Sequence, residues 1–419
     1  MTQPKNHTIL TNNSSRTDVL VNNLLKGRSE AFSELNGKTG LLFSKSEIER
    51  FMDEEERHDV KIITEGVYQS LKSMSSGEQK KVLLDYISKQ KPDFLVLVNP
   101  FDNLDVETQT ILRKKLISIS KSVILIQMIS RLDDVLPISS DYYKLDGDKL
   151  EKYASFDLFL TANQKAEPQF TGTIPPPLHT IEVKENELVQ FRNVSVSFDG
   201  RKVLDSIDWA IKKGEFWQLI GPNGSGKTTI LSMITGDSHK GYGQDLTIFG
   251  QRKGSGESVW DIKKKIGYYT PSMTDKFNGY HSLENMILSG LYDSIGLYNY
   301  PTDQEKKLAL SWLKLLQLHN KKDMKFLSLT TGEKRLVMTA RAMIKHPPLL
   351  ILDEPTAGLD EKSTGLFIAL VNKIAKESDT AIVFVSHRKE NGLLPRFDYI
   401  LETTDSNGSI GKTRQHVYH

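Results

Sequence analysis

The segment Gly221-Pro-Asn-Gly-Ser-Gly-Lys-Thr228 decides the fold of this chain. The apolar stretch FWQLI precedes it and TTILSMITG follows it, so the glycine-rich loop lies between a predicted strand and a predicted helix. Farther along, RLVMTARAMIKH has helical spacing, and LLILDEP (349–355) and VFVSH (383–387) are apolar runs typical of buried strands. Strands that alternate with helices predict an α/β fold with a mostly parallel sheet covered on both faces.

The quoted loop also matches the phosphate-binding pattern GxxxxGK[ST] in the strand–loop–helix context that this pattern requires. Its glycines let backbone N–H groups converge on phosphate oxygens at a helix N-terminus. Lys227 is expected to reach the β- and γ-phosphates, and the Thr228 hydroxyl to ligate Mg²⁺. The predicted nucleotide contacts of the loop are Gly221, Pro222, Asn223, Gly224, Ser225, Gly226, Lys227 and Thr228.

Two carboxylates follow the strand Leu349–Leu352 directly. Asp353 ends that strand at the edge of the sheet where open α/β folds bind ligands, and it is the expected Mg²⁺ partner. Glu354 can orient and deprotonate an attacking water. His387 ends the VFVSH strand and is expected at the same edge, although a lone histidine is more often a packing residue.

Taken in order, GPNGSGKT, LTTGE, LLILDEP, AGLD and VSH resemble the nucleotide-binding domain of an ATP-binding cassette (ABC) ATPase, a P-loop NTPase, over roughly residues 187–400. The resemblance implies a parallel core sheet with a helical subdomain and ATP with Mg²⁺ as ligands. It places Lys227, Thr228 and Thr229 on the phosphates, Asp353 on magnesium, Glu354 as base and His387 as γ-phosphate sensor. Phe198 falls where the family has an adenine-stacking aromatic residue.

An internal repeat organises the rest of the chain. Residues 73–105 align without a gap with residues 328–360, but Val98 and Asn99 stand where the second copy has Asp353 and Glu354. The first copy has no GxxxxGK, and Asn36-Gly37-Lys38-Thr39 is a false match because Phe32 occupies the position of its first glycine. The N-terminal half is therefore interpreted as a shortened, degenerate ABC-like domain without a phosphate loop.

That half keeps a signature-like Ser75-Ser76-Gly77-Glu78. Domains of this family sandwich ATP head to tail, so the resemblance suggests one composite site in which these four residues face Lys227, Asp353, Glu354 and His387. The alternative is that Ser75 and Glu78 only cap the following helix. Pairing of the two halves and a homodimer are both compatible with the hypothesis.

The predicted boundaries are a degenerate domain over 1–161, a proline-rich linker over 162–180 and an intact nucleotide-binding domain over 181–419. Lys plus Arg number 55 against 53 for Asp plus Glu, which gives no strong nucleic-acid signal. The absence of cysteine suits a reducing compartment. No signal peptide and no bilayer-length apolar run are recognisable, so we expect a cytoplasmic protein that is at most peripheral at the inner face of the plasma membrane.

The tandem arrangement and the stretch around GYGQDLTIFGQRKGSGESVWDIKKKIGYY resemble, more narrowly, ABC proteins linked to molybdenum transport or photorepair. Two functions stay open: the ATPase of a transport system, docking a membrane subunit through the region around 280–320, or an ABC ATPase that acts on a macromolecule such as the ribosome, DNA or a repair complex. Pro271 and Ser272 replace the glutamine through which the family senses its transport partner. The tail TRQHVYH is predicted to be disordered rather than a metal site.

Overall fold

The computed structural model describes residues 4–66, 69–138, 140–164, 169–256, 258–275, 277, 279–404 and 408–416. It divides into unit 1, which comprises Met1–Ala166 with Gly358–Lys362, and unit 2, which comprises Glu167–Ala357 with Ser363–His419. Each unit has its own hydrophobic core. Among the described residues, no helix combines the length and the apolar character needed to cross a membrane.

Unit 1 contains a six-stranded sheet within the described ranges, in the order β2-β3-β4-β1-β5-β6. The first five strands pair in parallel, and β6 pairs antiparallel with β5. The apolar run FLVLV forms β3 at the centre of the core because both faces of this sheet are covered. Its strands and helices are β1 Asn6–Leu10, α1 Thr17–Leu25, β2 Gly40–Phe43, α2 Lys45–His58, α3 Ser76–Gln90, β3 Phe94–Val98, α4 Val106–Ile119, β4 Ile124–Ile129, β5 Ser140–Asp146, β6 Lys149–Tyr153 and α5 Phe156–Asn163.

Unit 2 begins with a long antiparallel hairpin and continues with alternating strands and helices. Its elements up to the helical region are β7 Glu187–Phe198, β8 Arg201–Lys212, β9 Phe216–Ile220, α6 Lys227–Ile234, β10 Leu246–Ile248, β11 Gln251–Arg252, α7 Val259–Lys264 and β12 Ile266–Tyr269. The remaining elements are α8 Ser272–Asp275, α9 Leu283–Leu288, α10 Asp303–Leu315, α11 Thr331–Met343, β13 Leu349–Asp353, α12 Glu361–Glu377, β14 Ala381–Ser386, β15 Phe397–Thr404 and β16 Gly408–Gln415. The predicted α/β class is confirmed.

The sheet of unit 2 has the order β11-β10-β7-β8-β16-β15-β9-β14-β13-β12. Strands β12, β13, β14, β9 and β15 are parallel neighbours, whereas β7, β8, β10 and β11 form an antiparallel flank. The C-terminal ends of β9, β13 and β14 therefore lie side by side at one edge, where the phosphate loop, the acidic pair and His387 follow them.

The internal repeat extends well beyond the aligned segment. The order β2-β3-β4-β1-β5-β6 of unit 1 is the order β12-β13-β14-β9-β15-β16 of unit 2. Left-handed backbone recurs in register, at Lys91 and His346 and at Asn99 and Glu354. Both units therefore share one chain path through their parallel strands, while the antiparallel flank is described in unit 2 alone.

The predicted linker overlaps the end of one helix, and part of it is bonded to unit 2. Helix α5 continues through Asn163, two positions into the predicted linker, and residues 165–168 lie outside the described part of the chain. Within unit 2 the following segment is fastened: Ile174 N donates to Glu377 Oε2 at 3.0 Å, and His346 Nε2 lies 2.7 Å from the Pro175 carbonyl. These contacts fasten residues 174 and 175 of the predicted proline-rich linker to unit 2.

The prediction of a disordered tail is wrong for its first residues. Residues 413–415 belong to β16, because the backbone of this strand pairs along the whole length of β15. His416 N donates to the Arg396 carbonyl at 2.9 Å, and His416 Nε2 lies 2.7 Å from Asp398 Oδ2. The last three residues lie outside the described range.

Candidate active site

The phosphate loop of unit 2 joins β9 to α6 and is shaped by glycines. Gly224 and Gly226 have φ angles of 77° and 91°, a region that side chains other than glycine rarely adopt. A Cβ atom at Gly226 would lie 2.5 Å from Leu204 Cδ2, and one at Gly221 would lie 2.6 Å from Ser225 Oγ. The loop can therefore follow this path only with glycine at these positions, and it ends at the N-terminus of α6, where backbone N–H groups are available to an anion.

Lys227 lies folded back over its own loop. Its Nζ atom donates to the carbonyls of Gly221 at 2.6 Å and Pro222 at 2.9 Å. Ser225 is buried, and its Oγ has no hydrogen-bond partner among the described residues. A buried hydroxyl without a partner is costly, so this atom fits a loop that is completed by a polar ligand such as a phosphate. Thr228 is exposed and Thr229 half-buried at the start of the helix.

Asp353 is the last residue of β13, as predicted, and its carboxylate is largely buried. Burial, together with the charge of Glu354, raises the pKa of Asp353 above its ordinary value. Tyr268 on the neighbouring strand β12 donates its hydroxyl to Asp353 Oδ2 at 3.3 Å. Burial and the nearby carboxylate raise the pKa of Tyr268, so this hydroxyl keeps its proton and remains a donor. Tyr268 is a site residue that the sequence analysis missed.

Glu354 follows with a φ angle of 50°, and its backbone N–H donates to the Val385 carbonyl at 2.9 Å. This left-handed residue turns the chain sharply at the end of the strand, which directs the carboxylate toward His387. The distance between His387 Nε2 and Glu354 Oε1 is 2.5 Å, and His387 Nδ1 lies 3.4 Å from Lys227 Nζ. The structure thus brings the predicted base, the predicted sensor and the phosphate-loop lysine together.

The donor set fits a magnesium ion that is shared with phosphates. No cluster of three or more metal-binding side chains occurs in the described part of the chain. Mg²⁺ is usually held by one or two carboxylates together with substrate phosphates rather than by an all-protein cage. Asp353 and the Thr228 hydroxyl, both at the loop edge of the sheet, are the residues that would hold it.

Phe198 ends β7, and 41% of its surface is exposed. The Lys240 ammonium lies 4.9 Å from the centre of its ring, which is a cation–π distance. The aromatic ring is therefore accessible on unit 2, while its role as an adenine platform stays a prediction.

The signature-like residues of unit 1 form a helix cap. Ser75 is the N-cap of α3, and Glu78 closes a capping box in which Ser75 N donates to Glu78 Oε2 at 2.7 Å and Glu78 N donates to Ser75 Oγ at 3.4 Å. The hydrogen bonds from Ser75 lower the pKa of Glu78. Ser76 and Gly77 start the helix itself. The capping role is present, and a contact of these four residues with nucleotide stays a prediction.

Unit 1 also contains the structural counterpart of the phosphate loop, which the sequence analysis missed. Residues 11–16 join β1 to α1 as residues 221–226 join β9 to α6, and Thr17 stands where unit 2 has Lys227. Ser14 Oγ donates to Asp146 Oδ1 at 2.5 Å, so one hydroxyl of this loop is already hydrogen-bonded to a carboxylate. Lys38, in the false match, lies directly before strand β2, so a strand and not a helix begins at this loop. The available signal was the gapless match of HTILTNNSSRT (7–17) with WQLIGPNGSGK (217–227).

Comparisons with known proteins identify the family of this chain. The family model described as ABC transporter matches residues 204–357. The ABC transporter ATP-binding protein ModF of Escherichia coli is 38% identical over 332 residues, which cover 76% of this chain and 68% of that protein. This chain belongs to the ABC transporter ATP-binding protein family. The matched range of this ABC protein includes the loop Gly221–Thr228.

One further relative aligns with about half of this ABC protein, and one solved structure resembles its fold over nearly the whole chain. The zinc uptake system ATP-binding protein ZurA of Listeria innocua is 31% identical over 48% of this chain and 77% of its own length. The archaeal ribosome recycling factor aABCE1, solved in complex with the ribosomal stalk protein aP1, aligns with 97% of this chain and 85% of its own at a TM-score of 0.63 and 18% identity. The second likeness concerns the fold alone.

Proposed function

We propose that this ABC protein binds Mg·ATP at the phosphate loop of unit 2 and hydrolyses it there, as the energy-supplying component of a transport system. One observation carries the proposal: His387 lies between the Glu354 carboxylate and the Lys227 ammonium, at 2.5 Å and 3.4 Å. A base, a hydrogen-bonding sensor and a phosphate-binding cation thus meet at the edge of the sheet where the loop amides converge. That combination suits phosphoryl transfer to water.

The chemistry is assigned to these residues as follows. The loop amides and Lys227 bind the β- and γ-phosphates. On binding, the hydrogen bonds from Lys227 Nζ to the carbonyls of Gly221 and Pro222 are replaced by hydrogen bonds to phosphate oxygens. Glu354 accepts the proton of a water that attacks the γ-phosphorus. The bond between that phosphorus and the β-bridging oxygen breaks, and ADP and phosphate leave. A bound Mg²⁺ supplies charge neutralisation on the phosphate oxygens.

His387 is assigned to the γ-phosphate. Its ring contacts Glu354 through Nε2 and lies near Lys227 through Nδ1. A γ-phosphate that binds beside the ring replaces the Lys227 contact and leaves the Glu354 contact to orient the base. His387 therefore links occupancy of the loop to the position of the base.

Two substitutions test the nucleotide site. Lys227→Ala should abolish retention of labelled ATP in the presence of Mg²⁺, whereas Glu354→Gln should retain ATP and lose hydrolysis. Lys38→Ala is the matched control, because Lys38 belongs to the false match in unit 1 and is exposed. Full binding by Lys227→Ala, or full hydrolysis by Glu354→Gln, would refute the proposal.

We further propose one functional nucleotide site per chain, with Ser75, Ser76, Gly77 and Glu78 contributing to it. The support is that unit 1 has Val98 and Asn99 in place of the acidic pair and Thr17 in place of the phosphate-loop lysine. Equilibrium dialysis should give a stoichiometry of one, and two tight sites would contradict it. Ser76→Arg should abolish hydrolysis without unfolding the protein, and full activity would leave capping as the role of this segment.

The transport role and the alternative, action on a macromolecule, predict different binding partners for the ATP-bound protein. Tagged Glu354→Gln protein should hold the ATP-bound state, and affinity purification with Mg·ATP should recover an integral membrane subunit. Recovery of ribosomes or nucleic acid in its place would favour the alternative. The Lys227→Ala variant, purified in parallel, controls for partners that bind independently of nucleotide.

A further inference from the structure

A buried arginine on α11 connects the turn after Glu354 to the end of β12. Arg335 is 5% exposed, and its guanidinium reaches three different segments of unit 2. One terminal nitrogen donates to the Tyr269 hydroxyl at 2.6 Å and to Thr274 Oγ1 at 3.2 Å, and the other donates to the Ala357 carbonyl at 3.4 Å. The fixed fork of a guanidinium is suited to such simultaneous contacts.

The two ends of this connection are both next to the reacting groups. Ala357 N donates to the Glu354 carbonyl at 3.2 Å, so the Arg335 bond to Ala357 braces the same tight turn in which Glu354 holds its left-handed conformation. Tyr269 adjoins Tyr268, which donates to Asp353. Arg335 therefore connects the strand end that carries Tyr268 and Tyr269 to the turn that follows Asp353 and Glu354. Asp353 is the predicted magnesium ligand, and Glu354 is the predicted base.

Unit 1 provides an internal comparison. Lys80 occupies the position of Arg335 on α3, is also buried, and donates to the carbonyls of Pro100 at 2.9 Å and Asp102 at 2.6 Å. Asp102 is the counterpart of Ala357, so each unit braces this turn with a cation from the corresponding helix, α3 or α11. Bracing the turn alone thus needs only a lysine.

The bonds to β12 and α8 are specific to unit 2. Strand β2 of unit 1 has Leu42 and Phe43 at the positions of Tyr268 and Tyr269, and neither carries a hydroxyl. Unit 1 therefore has neither the tyrosine hydroxyls at these two strand positions nor the acidic pair, whereas unit 2 has both.

We propose that Arg335 is a positioning residue for ATP hydrolysis. Through Tyr269 and Thr274 it holds the end of β12 and α8 against the turn that carries Glu354, and this fixes the position of the base relative to Asp353. The inference rests on the proposed function of the site. It assigns Arg335 no contact with nucleotide, so it concerns the hydrolysis step and leaves ATP affinity unchanged.

The test gives unit 2 the residue types that unit 1 has at these positions, a lysine as at Lys80 and a phenylalanine as at Phe43. Arg335→Lys keeps a cation for the turn but loses the fork, and Tyr269→Phe removes the acceptor of the shortest bond. Each variant should lower kcat about tenfold, the value of one charge-assisted hydrogen bond. The Kd for Mg·ATP, measured in the Glu354→Gln background, should stay within about twofold of its starting value, since the loop itself is untouched. The double variant should lose no more than either single one, because both remove the same interaction.

Arg341→Lys is the matched control for the general cost of changing a buried arginine on α11. Arg341 donates to Ser289 Oγ and the Ser294 carbonyl, away from the acidic pair, and burial lowers its pKa to about 10. This control should lower the Tm and leave kcat unchanged. Wild-type kcat in Arg335→Lys and Tyr269→Phe, additive losses in the double variant, or an equal kcat loss in Arg341→Lys would each overturn the inference. Retained hydrolysis in Glu354→Gln would instead refute the proposed function, so the two failures are distinguishable.

Discussion

Replacement of Gly226 by alanine should weaken nucleotide binding far more than the same change at Gly224. Both residues have positive φ angles, so an alanine at either one is strained by about 1–3 kcal/mol. The Cβ atom at Gly224 would meet nothing within 4 Å, whereas the one at Gly226 would lie 2.5 Å from Leu204 Cδ2 and 3.1 Å from Val203 Cγ1. Leu204 is fully buried in the core of unit 2 and cannot move aside freely.

The extra overpacking at Gly226 costs about 1–3 kcal/mol in a packed interior. The loop of Gly226→Ala can relieve this strain by changing its path, but it must return to the original path to present its amides to phosphate. The strain therefore lowers the affinity for nucleotide, and the Kd of Gly226→Ala should be roughly 5- to 150-fold higher than that of Gly224→Ala. Titration of both variants with a fluorescent ATP analogue and Mg²⁺ measures the ratio. Equal affinities, or a weaker Gly224→Ala, would refute the steric reasoning.

Three further predictions concern the acidic pair and the helix caps. The folded-state pKa of Asp353 is raised, so the free energy of unfolding falls as pH rises and this buried carboxyl ionises. Asp353→Asn removes that cost and should raise the Tm of the nucleotide-free protein by roughly 2 °C at pH 8 and by less at pH 4. An unchanged Tm at both pH values in scanning calorimetry would contradict this. The hydrogen bond from Tyr268 opposes the rise of the Asp353 pKa, so Tyr268→Phe should shift the acid limb of the ATPase pH profile to higher pH, and a shift to lower pH would count against the contact. Ser75→Ala and Thr330→Ala each remove an N-cap and should lower the free energy of unfolding by about 1 kcal/mol in denaturant titrations; a loss near zero would show that the capping boxes contribute little.

The sequence was sufficient to predict which side chains of unit 2 lie together at the loop edge of the sheet, because each lies where a recognisable strand ends. The loop Gly221–Thr228, the pair Asp353 and Glu354, and His387 are all marked by short patterns on apolar strands, and parallel strands bring such ends to one edge. Tyr268 and Arg335 could not be predicted in the same way. Their contacts join β12, β13 and α11, and no spacing along the chain encodes which tyrosine or arginine will meet across those elements.

Unit 1 shows the opposite case, because the strand order is the same but the phosphate-loop motif is absent from its sequence. The segment 73–105 was recognisable because its helix cap, apolar strand and turn are kept, whereas residues 11–16 were not, because the glycines and the lysine that define a phosphate loop are replaced there. What remains at β1 is a short strand whose first three residues are polar, and such a strand does not indicate a phosphate loop. The tail was misjudged because pairing of β16 with β15 depends on a partner strand rather than on the hydrophobicity of the tail itself.

The attachment of residues 174 and 175 to Glu377 and His346 affects where the second half can be cut from the first. A fragment that starts at residue 181 would leave the Glu377 carboxylate and the His346 ring without these backbone partners. An excised second half should therefore begin ahead of Ile174, so that both contacts are kept.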